Sequence, residues 1–269
     1  MQSPKTLGII AGNGVYPRLI ADAARKAGVG KIVAAAFTGE TDPALQQYVE
    51  LVEWMRVGQL GRLLKFFRSQ DIHHAIMGGQ IAPTNLFDLR PDLKALMLLG
   101  KLKQRNAESI FAAIADELGK IDVDLLPATT FLDDSLARPG VIAGSKLSPR
   151  QEQDVELGWN AAKEIARLDI GQTIVIKNGT IVAVEALEGT NEAIKRGGTL
   201  AREGAVMVKV SKPNQDMRFD VPVIGVETVR IAAESRVRVI AVEAGKTLLL
   251  ERDAVIALAN GSNLSVVAR

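Results

Sequence analysis

Two apolar runs, joined by a glycine-bounded turn and a single helical stretch, constrain the start of this chain more than any other feature. Thr6–Ala11 has the pattern of a buried strand, and Gly12-Asn13-Gly14 follows it directly. A helical pattern then runs from Pro17 to about Ala27, with proline in the first turn where its missing N–H does no harm. Gly28 and Gly30 close that helix, and Lys31–Ala36 is a second buried strand. Apolar runs of this length, alternating with a helix, predict a strand–helix–strand unit and therefore a parallel sheet.

The pattern continues. Gly58 to Ser69 reads as a helix, His74–Met77 as a third strand ending in Gly78-Gly79, Asn106–Leu118 as a helix and Val123–Leu126 as a fourth strand. The first half is thus expected to be a small Rossmann-like α/β domain. Residues 127–150 change texture, with Pro127, Pro139, Gly140, Gly144 and Pro149 as punctuators, and read as a linker. Ser148-Pro149 then starts a helix, capped by Ser, that runs to about Leu168. Thr173–Lys177 and Ile181–Glu185 flank Asn178-Gly179, a strong hairpin signal. A short helix from Thr190, an apolar strand at Ala205–Val208, a helix at Val226–Glu234 and a strand at Val237–Val242 follow. A hairpin through Ala244-Gly245 and a helix at Arg252–Ala259 complete the series. The fold class expected is α/β with two α/β domains. Residues 1–135 would form a Rossmann-like domain with a parallel sheet. Residues 136–269 would form a catalytic α/β domain whose mixed sheet carries helices.

Composition serves mainly to exclude. The 269 residues carry a net charge of +2, which argues against nucleic acid as a partner. There is no cysteine, so thiolate nucleophiles and cysteine zinc sites are ruled out. His73 and His74 are the two histidines, and neighbours on a strand face opposite ways, so they cannot chelate one ion together. No charged and apolar leader pattern is evident, and no apolar run approaches the roughly 20 residues that span a bilayer. A cytoplasmic location is expected, with peripheral contact at the inner membrane left open.

Four segments carry candidate chemistry. The amides of Gly12, Asn13 and Gly14, at a strand-to-helix passage, could cradle a phosphate. The dinucleotide fingerprint is incomplete, because its third glycine position holds Pro17 and no acidic residue closes the second strand. The plainer alternative is a tight turn. Gly79 and Gln80 sit at the C-terminal end of a strand, where open α/β sheets bind ligands. Asn85 to Leu102 is apolar beyond one helical stripe, which suits a core helix or a homodimer interface, or else a flap for acyl chains. Glu185, Glu188, Gly189 and Thr190 form a polar strand end in which Thr190 could cap a helix, a phosphate could sit at its N-terminus and a glutamate could hold a metal.

A fifth segment, denser than those four, is Lys209 to Gly225. It places Lys209, Lys212, Asp216, Arg218 and Asp220 within a dozen residues, stiffened by Pro213 and Pro222. In an extended chain Asp216, Arg218 and Asp220 would share a face. Carboxylates at this spacing can hold Mg²⁺ while Arg218, Lys209 and Lys212 neutralise a diphosphate. A salt-bridged surface turn is the alternative. With no cysteine and no Ser–His pairing in view, metal-activated water is the expected nucleophile.

Five stretches carry a family resemblance: Gly8 to Pro17, Val57 to Gly61, Met77 to Gln80, Glu185 to Thr190 and Lys212 to Pro222. Together they resemble the LpxI-type UDP-2,3-diacylglucosamine pyrophosphatases across nearly the whole chain. The resemblance implies a Mg²⁺-dependent, two-domain enzyme of lipid A biosynthesis. Such an enzyme hydrolyses a lipid-linked nucleotide sugar, held between its domains, to UMP and lipid X. It points to Asp220 as the first acidic residue needed for hydrolysis and Asp216 as the second. Asp216, Asp220 and Glu185 are the expected metal ligands. The alternatives are a nucleotide-sugar oxidoreductase of Rossmann type and a non-catalytic regulator that binds a nucleotide sugar or a lipid.

Overall fold

The computed structural model describes residues 3–81, 91–103 and 107–269. The chain divides into two units: residues 1–132 together with 216–220, and residues 133–215 together with 221–269.

In unit 1 the apolar runs form the parallel sheet expected of them. Strands β1 (Thr6–Ala11), β2 (Lys31–Phe37), β3 (Leu51–Met55), β4 (His74–Gly78) and β5 (Asp124–Leu125) lie in the order β3-β2-β1-β4-β5, all parallel. β1 and β2 are buried along almost their whole length, as strands covered on both faces must be. The helices α1 (Tyr16–Lys26) and α2 (Leu60–Ser69) bury apolar faces that include Ile20, Ala24, Leu63 and Phe67. The edge strand β3 escaped the sequence reading because it is half-exposed and interrupted by Glu53. The order reverses at β1, so the crevice beyond the C-terminal ends of β1 and β4 is the topological switch point.

Unit 2 contains a mixed six-stranded sheet in the order β6-β13-β11-β9-β7-β8. Its strands are β6 (Gly140–Ala143), β7 (Thr173–Lys177), β8 (Thr180–Val184), β9 (Ala205–Lys209), β11 (Val237–Val242) and β13 (Ser265–Ala268). β6 falls inside the segment read as a linker and pairs antiparallel with β13. The expected β7–β8 hairpin is present. Asn178 and Gly179 both adopt positive φ, and the Asp154 carboxylate accepts both of their N–H groups at 2.9 and 2.6 Å.

The hairpin expected at Ala244-Gly245 is not formed. β11 already has β9 on one side and β13 on the other, so no edge remains for a following strand. The chain instead turns at Glu243–Thr247 and enters β12 (Leu248–Leu249), which pairs in parallel with β10 (Val223–Ile224) in a separate two-stranded sheet. The remaining helices are α3 (Leu93–Lys101) and α4 (Ala107–Gly119) in unit 1. Unit 2 has α5 (Pro149–Arg167), α6 (Thr190–Ala201), α7 (Val226–Glu234) and α8 (Arg252–Gly261). Among the described residues no helix is long and apolar enough to cross a membrane.

Candidate active site

Two of the expected ligand segments meet at the switch point of unit 1. Gly12 N donates to Gly78 O and Asn13 N to Gln80 O, both at 2.8 Å. The approach depends on missing side chains: a Cβ on Gly12 would lie 2.6 Å from the Gly79 carbonyl carbon, and one on Gly79 would lie 2.5 Å from Asn13 O. Gly79 also has φ +91°, which a side chain would strain. Gly14, at φ +79°, leads into α1, whose first turn has no side-chain cap. Gly12, Asn13, Gly14, Gly79 and Gln80 are therefore neighbours, and the surface they make is mostly backbone.

Unit 2 gathers side chains instead. At the end of its sheet where β9 finishes, Thr173 faces Lys209 in the strand register. Lys209 Nζ donates to Thr190 Oγ1 at 2.6 Å, and Thr190 Oγ1 donates to Glu185 Oε1 at 2.9 Å. Gln172 N donates to the other Glu185 oxygen at 3.2 Å. Glu185 and Lys209 are both buried. Burial works to raise the Glu185 carboxyl, but the Lys209 charge and the hydrogen bonds outweigh it and hold the group below its ordinary value. Thr190 is not a helix cap. The N-cap of α6 is Gly189 at φ +83°, with no side-chain cap, because the Thr190 hydroxyl is taken by Lys209 and Glu185. Glu188 lies further out, paired with Arg196 at 2.6 Å.

The Lys209–Gly225 segment is divided by the fold. Lys209 and Lys212 belong to unit 2, where Lys212 pairs with Asp169. Asp216, Arg218 and Asp220 belong to unit 1. They are not extended: Phe219 N and Asp220 N both turn back to Asp216 O, at 3.2 and 3.0 Å. The Arg218 guanidinium grips Asp216, with Nη2 2.7 Å from Oδ2 and Nε 3.0 Å from Oδ1. Those bonds hold the Asp216 carboxyl below its usual range and raise Arg218. Met217 O accepts from Ala128 N at 2.7 Å, and Phe219 packs its ring 5.6 Å from that of Phe111, so this turn is anchored in unit 1.

Among the described residues no group of three or more acidic or histidine side chains is gathered for a metal ion. Mg²⁺ rarely takes an all-protein cage and more often uses one or two carboxylates, waters and substrate phosphates. Asp220 and Asp216 are hard oxygen donors of that kind, but both Asp216 oxygens already accept from Arg218, so Asp216 would have to share them with a metal ion. Glu185, the third expected ligand, is engaged inside unit 2 by Thr190 and Gln172.

The sequence reading missed a second buried group in unit 2. Glu243 Oε2 accepts from Lys163 Nζ at 2.6 Å and from Ser211 N and Oγ at 2.8 and 2.7 Å. Burial opposes ionisation of Glu243, yet these partners pull its carboxyl down to about 2. The available signal was Glu243 closing a buried strand, the same signal that pointed to Glu185.

The apolar stretch from Asn85 is described only from residue 91 onward; Leu86, Phe87 and Leu89 lie outside the described residues. Within it, α3 buries Ala95 and Leu98 and exposes Leu93, Leu96 and Met97.

Comparison with known proteins decides the lineage. The sequence model of the LpxI N-terminal domain matches residues 6–135, and that of the LpxI C-terminal domain matches 138–267. The chain belongs to the LpxI family. One LpxI relative, UDP-2,3-diacylglucosamine pyrophosphatase LpxI of Caulobacter vibrioides, is 30% identical over 98% of this chain and 97% of its own length. Among solved structures, the biotin carboxylase domain of Hydrogenobacter thermophilus 2-oxoglutarate carboxylase covers 75% of the chain and 42% of its own. Its TM-score is 0.29 at 11% identity, and no argument rests on it.

Proposed function

We propose that this LpxI-family chain hydrolyses the diphosphate bond of UDP-2,3-diacylglucosamine, releasing UMP and lipid X in lipid A biosynthesis, with Mg²⁺ as cofactor. The observation that carries the proposal is the 30% identity, over 98% of the chain, to a relative of that name. The geometry supports it. Lys209 and Lys212 supply positive charge and Thr190 a hydroxyl at one strand end; at the switch point the Gly12 and Asn13 amides are already bonded to Gly78 O and Gln80 O, and Gly14 opens the N-terminus of α1, which favours an anion.

In this proposal the substrate draws on residues of both units. Asp220 accepts a hydrogen bond from the attacking water and takes its proton as the new phosphorus–oxygen bond forms. The broken bond leaves its electron pair on a phosphate oxygen, which the lysines stabilise. Arg218, whose charge is held by Asp216, keeps that carboxylate ionised and fixed. Mg²⁺, held by Asp220 and Asp216 together with substrate phosphate oxygens, would offset the diphosphate charge. The exposed Leu93, Leu96 and Met97 of α3 are the proposed contact for acyl chains at the inner-membrane surface.

The assay is UMP release from UDP-2,3-diacylglucosamine with and without EDTA. Release that stops in EDTA and returns with Mg²⁺ supports the reading. Substrate left intact after long incubation with Mg²⁺ would overturn it in favour of a binding protein. Hydrolysis in ¹⁸O-labelled water then assigns the phosphorus attacked: label in UMP marks the α position, label in lipid X the β.

A further inference from the structure

The loop of residues 212–221 leaves unit 2, contributes Asp216–Asp220 to unit 1 and returns to unit 2. Its two feet are held by one short turn. At the entry foot, Glu243 Oε2 accepts from Ser211 N and Ser211 Oγ, and Lys163 Nζ donates both to that carboxylate and to Ser211 O at 3.1 Å. At the exit foot, Leu248 N donates to Pro222 O at 2.9 Å, where β10 begins to pair with β12. Glu243 and Leu248 are the two ends of that turn, which closes on itself through Thr247 N to Glu243 O at 3.1 Å. It is tied to the domain by Gly245 N to Ala137 O and Ala137 N to Thr247 O, at 2.8 and 2.9 Å.

A buried ion pair such as Lys163–Glu243 adds little net stability, because desolvation offsets most of the attraction; a single fixed geometry is its better-attested yield. Three donors converging on one carboxylate oxygen leave Ser211 one position. The opposite end of the loop is fixed by a backbone bond from the same turn.

We propose that the Glu243–Leu248 turn, with Lys163, is a clamp that fixes the two feet, Ser211 and Pro222, of the loop that carries Asp216–Asp220, and that hydrolysis depends on those feet being fixed. Glu243 and Lys163 are positioning residues: they act through Ser211 and touch no substrate. The inference rests on Asp220 acting as proposed above. A group displaced by about 1 Å can cost up to about 100-fold in rate, so loosening one foot of a ten-residue loop is expected to show in kcat.

The test compares Glu243→Gln, the double variant Lys163→Met/Glu243→Gln and Asp220→Ala, each as the full chain. UMP release gives kcat and KM, and thermal unfolding gives stability. Hydrogen exchange of the 212–220 amides is read without substrate. Glu243→Gln is expected to lower kcat about ten-fold, leave KM within about two-fold and speed exchange across 212–220. The double variant, which leaves only the half-exposed Lys246 without its Glu243 partner, is expected to recover thermal stability without recovering kcat. Activity that tracks stability in both variants, or unchanged exchange in the loop, overturns the clamp. If Glu243→Gln does not fold, Ser211→Ala removes one bond to the same oxygen and must still speed exchange. Asp220→Ala with full turnover would instead overturn the reading of Asp220 and leave the exchange result to stand on its own.

Discussion

The two polar strand ends of this molecule are built from opposite materials. In unit 1, Gly12–Gly14 and Gly79–Gln80 come together through main-chain bonds at 2.8 Å, and glycine makes the approach sterically allowed. In unit 2, Glu185, Thr190 and Lys209 come together through side chains, and buried charge makes each depend on the next. A backbone site tolerates no added atom but carries no charge of its own. A side-chain site tolerates changes of shape but not the loss of one partner. The two should therefore fail in different ways.

The largest effect is expected where a charge loses its partner. Glu185→Ala leaves Lys209 buried beside a lone hydroxyl and should cost about 3–5 kcal/mol in a denaturant titration. A loss within error of zero would show that water reaches the cluster and that the contrast is overdrawn. Asp220→Ala comes next, with kcat for UMP release falling on the order of 10²–10³-fold, or about 3–4 kcal/mol of transition-state stabilisation.

Gly79→Ala tests the backbone side. Its Cβ meets a main-chain oxygen at 2.5 Å and its φ is positive, so about 3 kcal/mol of folding stability should go. Near-wild-type behaviour would mean that the two loops need not touch.

A smaller effect is expected from pH. The Glu243 carboxyl is depressed from 4.5 to about 2 in the folded protein. A depressed carboxyl contributes stability that is complete above its unfolded value and is lost as pH falls toward its folded value. Between about pH 4.5 and pH 2 the wild type should thus lose on the order of 1 kcal/mol more than Glu243→Gln, after allowance for solvent screening. Parallel pH curves for the two proteins would remove Glu243 from the account. The smallest change is expected at the rim, where Glu188→Ala breaks an exposed pair with Arg196 and should alter stability by less than about 1 kcal/mol.

Much of this was legible locally. The buried strands β1, β2, β7, β9 and β11 announced themselves by apolar runs, and Asn178-Gly179 announced its hairpin, because those signals lie within a few residues of the structure they specify. β3 was missed because Glu53 interrupts its apolar run, and β6 because its four residues sit among the prolines and glycines of a segment that reads as a linker. The Ala244-Gly245 turn was read as a hairpin because a turn signal does not say whether the preceding strand has a free edge.

The candidate site was legible as residues but not as partners. Lys209, Lys212, Asp216, Arg218 and Asp220 could be picked out together because they are adjacent in sequence. Their division between two units could not be foreseen, nor could the Lys209–Thr190 bond across 19 residues, the Ser211–Glu243 bond across 32 or the Lys163–Glu243 pair across 80. Sequence by itself determined the buried central strands, most of the helices and the supply of charged groups, because propensity and periodicity act over a few residues. Only the tertiary structure decided which charge meets which, because strand order and register bring distant residues to the same sheet end and no local pattern encodes that pairing.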